Sequence, residues 1–210
     1  MKTRMIFCSA FLSAALFFSG CRKENMPPVV TLNGDANMTS YKGDTFTDPG
    51  ATANDNEEGD LTAKIQETGS VGSGVGYYTL DYSVTDKEGS YADVQRNVTV
   101  KYKNAYLAGN YNVTETSPFG TTNYTGMVTS GTSDNAEFVF GSTSGPDPIV
   151  VDANITGLND ISPLTVAQGG PLTNFTGTIT EPSGHVVFTM SYLRPIGNTT
   201  TNCTATWTKQ

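Results

Sequence analysis

From Val29 onward, apolar and polar residues alternate in short runs broken by turn residues, the period of half-buried β-strands. The clearest run is Tyr78-Thr79-Leu80-Asp81-Tyr82-Ser83-Val84-Thr85, which places Tyr78, Leu80, Tyr82 and Val84 on one face. Asp86-Lys87-Glu88-Gly89 supplies a turn. Ala92, Val94, Val98, Val100 and Tyr102 then share one side, opposite Asp93, Gln95, Asn97 and Thr99, so the two runs predict a hairpin. Arg96 breaks the pattern, because its parity is that of Val94 and Val98. Either a bulge shifts its register, or its guanidinium reaches a carboxylate that offsets desolvation. Asp48, Asp55 and Asp86 are the expected partners.

Beyond Asn104 further strands are predicted at about 106–115, 122–130, 135–141, 148–156, 163–168, 173–181, 185–193 and 201–208. Turn signals separate them, including Ser117-Pro118-Phe119-Gly120, Gly145-Pro146-Asp147-Pro148, Gly169-Gly170-Pro171 and Glu181-Pro182-Ser183-Gly184. The last of these joins Phe175, Gly177 and Ile179 to Val186, Phe188, Met190 and Tyr192 as a hairpin. Strands at this spacing predict an up-and-down barrel or a second sandwich. The whole chain is therefore expected to be all-β.

The first twenty residues have a different character. Lys2 and Arg4 precede an apolar run from Met5 to Phe18, and small residues stand before Cys21. This is the order of a secretory signal. The run is short against the ~20 residues of a spanning helix, which argues against an uncleaved anchor. Phe18-Ser19-Gly20-Cys21 resembles the lipobox of bacterial lipoproteins. The resemblance implies cleavage before Cys21, acylation of its thiol and attachment to a membrane. Arg22 to Pro28 reads as a polar, extended tether.

Pro28-Val29-Val30-Thr31-Leu32-Asn33-Gly34, Gly43-Asp44-Thr45-Phe46-Thr47-Asp48-Pro49-Gly50-Ala51-Thr52-Ala53 and Asp60-Leu61-Thr62 occur in order, followed by Gly76-Tyr77-Tyr78-Thr79-Leu80, Val84-Thr85-Asp86 and Arg96-Asn97-Val98-Thr99-Val100. This series resembles a bacterial immunoglobulin-like module over roughly residues 27–103. It implies a small antiparallel sandwich and no particular ligand. Leu107-Ala108-Gly109-Asn110-Tyr111-Asn112-Val113 is similar to the first strand of lipocalin-like barrels, and to domains that follow such modules in Bacteroidetes-type surface lipoproteins. The organisation expected is a signal at 1–20, a lipidated cysteine and tether at 21–28, the Ig-like module at 29–103, and a β domain at 104–210. The family resemblance implies an outer-membrane position, with surface exposure expected; Arg22-Lys23-Glu24-Asn25 lacks the acidic run that often accompanies surface export, so a periplasm-facing anchor is the alternative.

Charge narrows the partners. The chain holds 12 basic and 20 acidic residues. Loss of Lys2 and Arg4 with the signal leaves a still more acidic protein, which disfavours nucleic acid. The acidic loop Asn54–Asp60 offers Asp55, Glu57 and Asp60 as calcium ligands, although without the spacing of an EF-hand. No other cofactor is expected. Gly72-Ser73-Gly74-Val75-Gly76 lacks the lysine of a phosphate loop and reads as a strand connection.

Catalytic material is sparse. His185 is the only histidine, and Cys203 is left alone once Cys8 and Cys21 are assigned to the signal and the anchor. Cys203 shares a strand face with Ala205 and Trp207, which is the setting of a small hydrophobe. A non-enzymatic protein is expected. Two roles compete: a structural or adhesive surface protein whose Ig-like module lifts the β domain, or a glycan-binding accessory lipoprotein. A third reading places a small apolar ligand inside the barrel. Stacking on sugar rings needs aromatic faces, for which Tyr106, Phe119, Tyr124, Tyr192 and Trp207 are candidates, with Phe119 and Tyr124 beside a turn.

Overall fold

The computed structural model describes residues 24–130, 137–142, 150–167, 173–196 and 198–210. The predicted signal and Cys21 lie outside the described residues, as do the turns expected at 145–148 and 169–171. Strands dominate, and the single α-helix among the described residues, α1 (Asn104–Leu107), is one turn long.

The first part of the chain forms two sheets. One contains β1 (Val29–Leu32), β3 (Ala51–Asp55) and β4 (Gly59–Asp60), in the order β1-β3-β4. The other contains β2 (Asn37–Tyr41), β5 (Gln66–Thr68), β6 (Gly76–Thr85) and β7 (Tyr91–Lys101), in the order β2-β7-β6-β5. β6 and β7 are the predicted hairpin, and β2 joins β7 in parallel. Leu80, Tyr82, Val84, Val98 and Val100 are buried along the shared inner face.

Arg96 lies on that face and is fully buried. The ladder runs unbroken through Leu80↔Arg96, so there is no bulge. Asp48 is the partner: its Oδ1 pairs with Nη1, and its Oδ2 accepts the Tyr82 hydroxyl at 2.5 Å. Arg96 also donates to the carbonyls of Asn33 (2.6 Å), Gly50 (3.1 Å) and Asp35 (3.2 Å). The guanidinium is a planar fork of donors, and these contacts use all three of its nitrogens. The motif Asp48-Pro49-Gly50 thereby gains a physical meaning. Gly50 takes a positive φ of 76°, where a side chain would be strained, and its carbonyl meets the cation. One buried charge thus ties two loops to the hairpin.

The second part is a closed, eight-stranded up-and-down barrel. Its strands are β8 (Gly109–Ser117), β9 (Gly120–Ser130), β10 (Glu137–Ser142), β11 (Val150–Thr156), β12 (Asp160–Ala167), β13 (Thr173–Thr180), β14 (Val187–Ile196) and β15 (Thr199–Lys209). Each pairs with the next, and β15 returns to β8 to close the ring. The sequence left barrel and sandwich open; the pairing decides for the barrel.

Described side chains from most of its strands pack together inside it. Tyr111, Val113, Val128, Ile161, Ile179, Phe188, Met190, Ala205 and Trp207 are buried in one cluster. The Tyr111 ring lies 5.0 Å from Phe188 and 6.2 Å from Trp207. Trp207 fits because β9 carries a glycine opposite it: a Cβ on Gly126 would fall 2.3 Å from the indole. Where the side chains are described, this cluster is a packed core.

Candidate functional site

β8 runs from the linker towards the Ser117–Gly120 turn, and β14 runs in the same sense, so both deliver side chains to one rim of the barrel. On β8 the inward parity of Tyr111 and Val113 continues to Glu115, which buries a carboxylate just inside that rim. Arg194 donates to its Oε1 at 2.9 Å. Tyr192 and Tyr124 donate to its Oε2 at 2.8 and 3.2 Å. Three donors from β9 and β14 thus offset the desolvation of one anion. Burial, and then the nearby Glu115 carboxylate, raise both phenols above the usual tyrosine range and keep them protonated donors.

Outside this cluster, Ser117, Phe119, Gly120, Thr121 and Thr122 join Glu115 and Arg194 around a cleft of about 200 Å³. Ser117 Oγ accepts from the Phe119 amide at 3.2 Å and donates to the Gly120 carbonyl at 3.3 Å, which shapes the turn. Phe119 is 69% exposed. The rim therefore presents an aromatic face, hydroxyls and a charged pair in one small depression.

The five aromatic candidates part company. Phe119 is an exposed platform, and Tyr124 is half-buried against Glu115. Tyr192 and Trp207 are buried: Tyr192 stacks at 6.1 Å on Phe175, and Trp207 sits in the barrel core. Tyr106 is at the opposite end, beside the two sheets of the first part of the chain. From the sequence, Glu115 is one of several scattered carboxylates and Arg194 one of the few basic residues after Asn104, and neither is expected to form a site. The available signal was the one that exposed Arg96, a charge on the apolar parity of a strand.

The acidic loop turns its oxygens inward on itself. Asp55 Oδ1 accepts from the amides of Glu57 and Glu58, each at 2.8 Å, and Asp60 Oδ1 accepts from Thr62 N at 2.8 Å. Glu57 faces Lys87 at 3.8 Å. Among the described residues, no three His, Cys, Asp or Glu side chains are gathered as a metal would need. His185 is exposed at the linker end, whereas Cys203 is buried opposite Tyr192, about 20 Å further along the strand. Burial raises the Cys203 thiol above its usual range.

These features can be set beside known proteins. Residues 30–100 match the family model "Bacterial surface protein, Ig-like domain". The Ig-like module of the sequence reading is therefore established over that span. No curated protein sequence matches the chain. Among solved structures, a lipoprotein from Bacteroides thetaiotaomicron aligns at 20% identity and a TM-score of 0.38, over 87% of this chain and all of that one. Two structures of Clostridium perfringens ZmpB also align. One holds a carbohydrate-binding module with GlcNAc and INT domains (14% identity, TM-score 0.31, 87% of this chain, 44% of that one). The other holds a catalytic domain with two carbohydrate-binding modules (16% identity, TM-score 0.32, 88% of this chain, 21% of that one).

Proposed function

We propose that the chain is a non-enzymatic cell-envelope protein, held at the outer membrane through Cys21, whose Ig-like module carries the barrel rim outward for structural or adhesive binding. The observation behind this reading is the direction of the strands. The chain enters the Ig-like sheets beside the β6–β7 turn, where Asn25 donates to Ser90 Oγ at 3.0 Å. It leaves at the far end of β7, whose eleven residues span roughly 35 Å. β8 then continues to the Ser117–Gly120 rim, at the end of the barrel remote from the linker. Entry and rim lie at opposite ends.

Energy transfer from a dye in the membrane tests this on intact cells. A label at Tyr91 should show clearly stronger transfer than one at Phe119. Equal or reversed transfer would overturn the reading, and so would a Cys21→Ser protein that stays with the membrane fraction.

A second reading, glycan capture, is favoured by the exposed Phe119 ring beside hydroxyls and the Arg194–Glu115 pair. Affinity electrophoresis against a polysaccharide panel tests it. Retardation by one glycan, lost in Phe119→Ala, would support capture at the rim. No retardation across the panel would leave the presenting role alone.

A further inference from the structure

The joint between the Ig-like sheets and the barrel is built from more than the linker. Lys42, just beyond β2, forms an ion pair with Glu181 of the β13–β14 connection at 2.7 Å. Both side chains are largely shielded, at 16% and 17% exposure. The same ammonium lies 5.5 Å from the centre of the Tyr106 ring. Lys209, from the last strand, lies 5.6 Å from that ring and donates to the Tyr106 carbonyl at 2.6 Å. The ring on the one-turn helix α1 is therefore contacted by a cation from each part of the molecule. Tyr102, at the end of the Ig-like segment, is buried in the barrel's core cluster, and Val75 packs against it. Lys103 pairs with Asp44 across the same joint.

A flexible link between modules ordinarily shows polar, solvated contacts and free relative motion. Here shielded charge, cation–π contacts and a shared apolar residue converge on one point. We infer that the joint is a rigid clasp, in which Lys42 binds Glu181 and Tyr106 and fixes the barrel's direction relative to the Ig-like sheets. This rests on the presenting role proposed above and specifies its mechanics: the rim is held at a set angle.

Spin labels carried by noncanonical residues at Asp93 and Asn123, both exposed, report the angle in the full chain. One narrow distance distribution is expected. Lys42→Ala and Glu181→Gln should each broaden it at least twofold, and Lys42→Arg, which keeps charge and ring contact, should leave it narrow. A broad distribution in the unaltered protein would overturn the clasp. So would a distribution that stays narrow in both Lys42→Ala and Glu181→Gln. Because the readout is an internal distance, it can fail while the membrane-transfer result stands, and the reverse.

Discussion

In the Ig-like module the largest fully buried side chain is a cation, Arg96, whereas in the barrel the corresponding positions are held by Tyr111 and Phe188. The module's apolar cluster around Ala53, Leu61 and Val84 is small, and loops 33–35 and 48–50 are secured mainly through the guanidinium. The barrel's described interior is an aromatic and aliphatic cluster, and the ion pair between its own strands, Glu115–Arg194, stands at the rim. The contrast separates two ways of fixing loops. A polar hub depends on every partner being present, while a packed core degrades by increments.

The sharpest way to break the contrast is Arg96→Ala. It leaves Asp48 without its cation and removes the guanidinium from the Asn33, Asp35 and Gly50 carbonyls, of which Gly50 keeps the Asn33 amide, so a loss of about 3–5 kcal/mol is expected. Hydrogen exchange should show the loss concentrated in residues 29–101, and equal loss of protection in the barrel would refute the division. Gly126→Ala tests the other side. The added methyl meets the indole of Trp207, and an overpacking cost of about 1–3 kcal/mol should appear as a lower denaturant midpoint confined to the barrel.

Tyr82→Phe removes one donor to Asp48 and leaves the ion pair, so about 1 kcal/mol should be lost, read from chemical denaturation. A loss as large as that of Arg96→Ala would mean the phenol, and not the cation, is the hub. Acid gives a smaller effect. Lys64 and the Lys87 amide lower the Glu58 carboxyl below its ordinary value, and Thr62 lowers Asp60. Their stabilisation is present above the ordinary carboxylate range and is lost as pH falls through the lowered values, so the Ig-like module's Tm should drop slightly on acidification. The least effect is expected for Phe119→Ala. Its exposed ring should change Tm by an amount equivalent to less than about 0.5 kcal/mol, leaving any binding defect interpretable.

Much of this was readable from residue order. Alternation marked β6 and β7, where one buried face imposes a period of two, and regularly spaced turn signals marked the eight barrel strands. The choice of Asp48 among three carboxylates rests on the Asp48-Pro49-Gly50 turn swinging back across β7, a long-range contact that alternation cannot encode. Barrel closure was equally hidden, since it depends on β15 meeting β8. Aromatic type alone could not separate Phe119, exposed at the rim, from Trp207, buried in the core. Gly126 on β9 decides the latter by opening room for an indole that reaches across β8 from β15.

The ring closure also sets an order of events. Strand β8 finds its first neighbour across a three-residue turn contact, Ser117 to Gly120, but its other edge waits for β15, with Asn112 meeting Gln210 at a separation of 98 residues. The Ig-like sheets involve no residue beyond 101 in their ladders, so they can assemble while the barrel is still an open, edge-exposed ribbon. The barrel is the slow and vulnerable half of this chain during its birth, and a chain cut short within β15 would leave β8 and β14 as bare edges open to pairing with other chains.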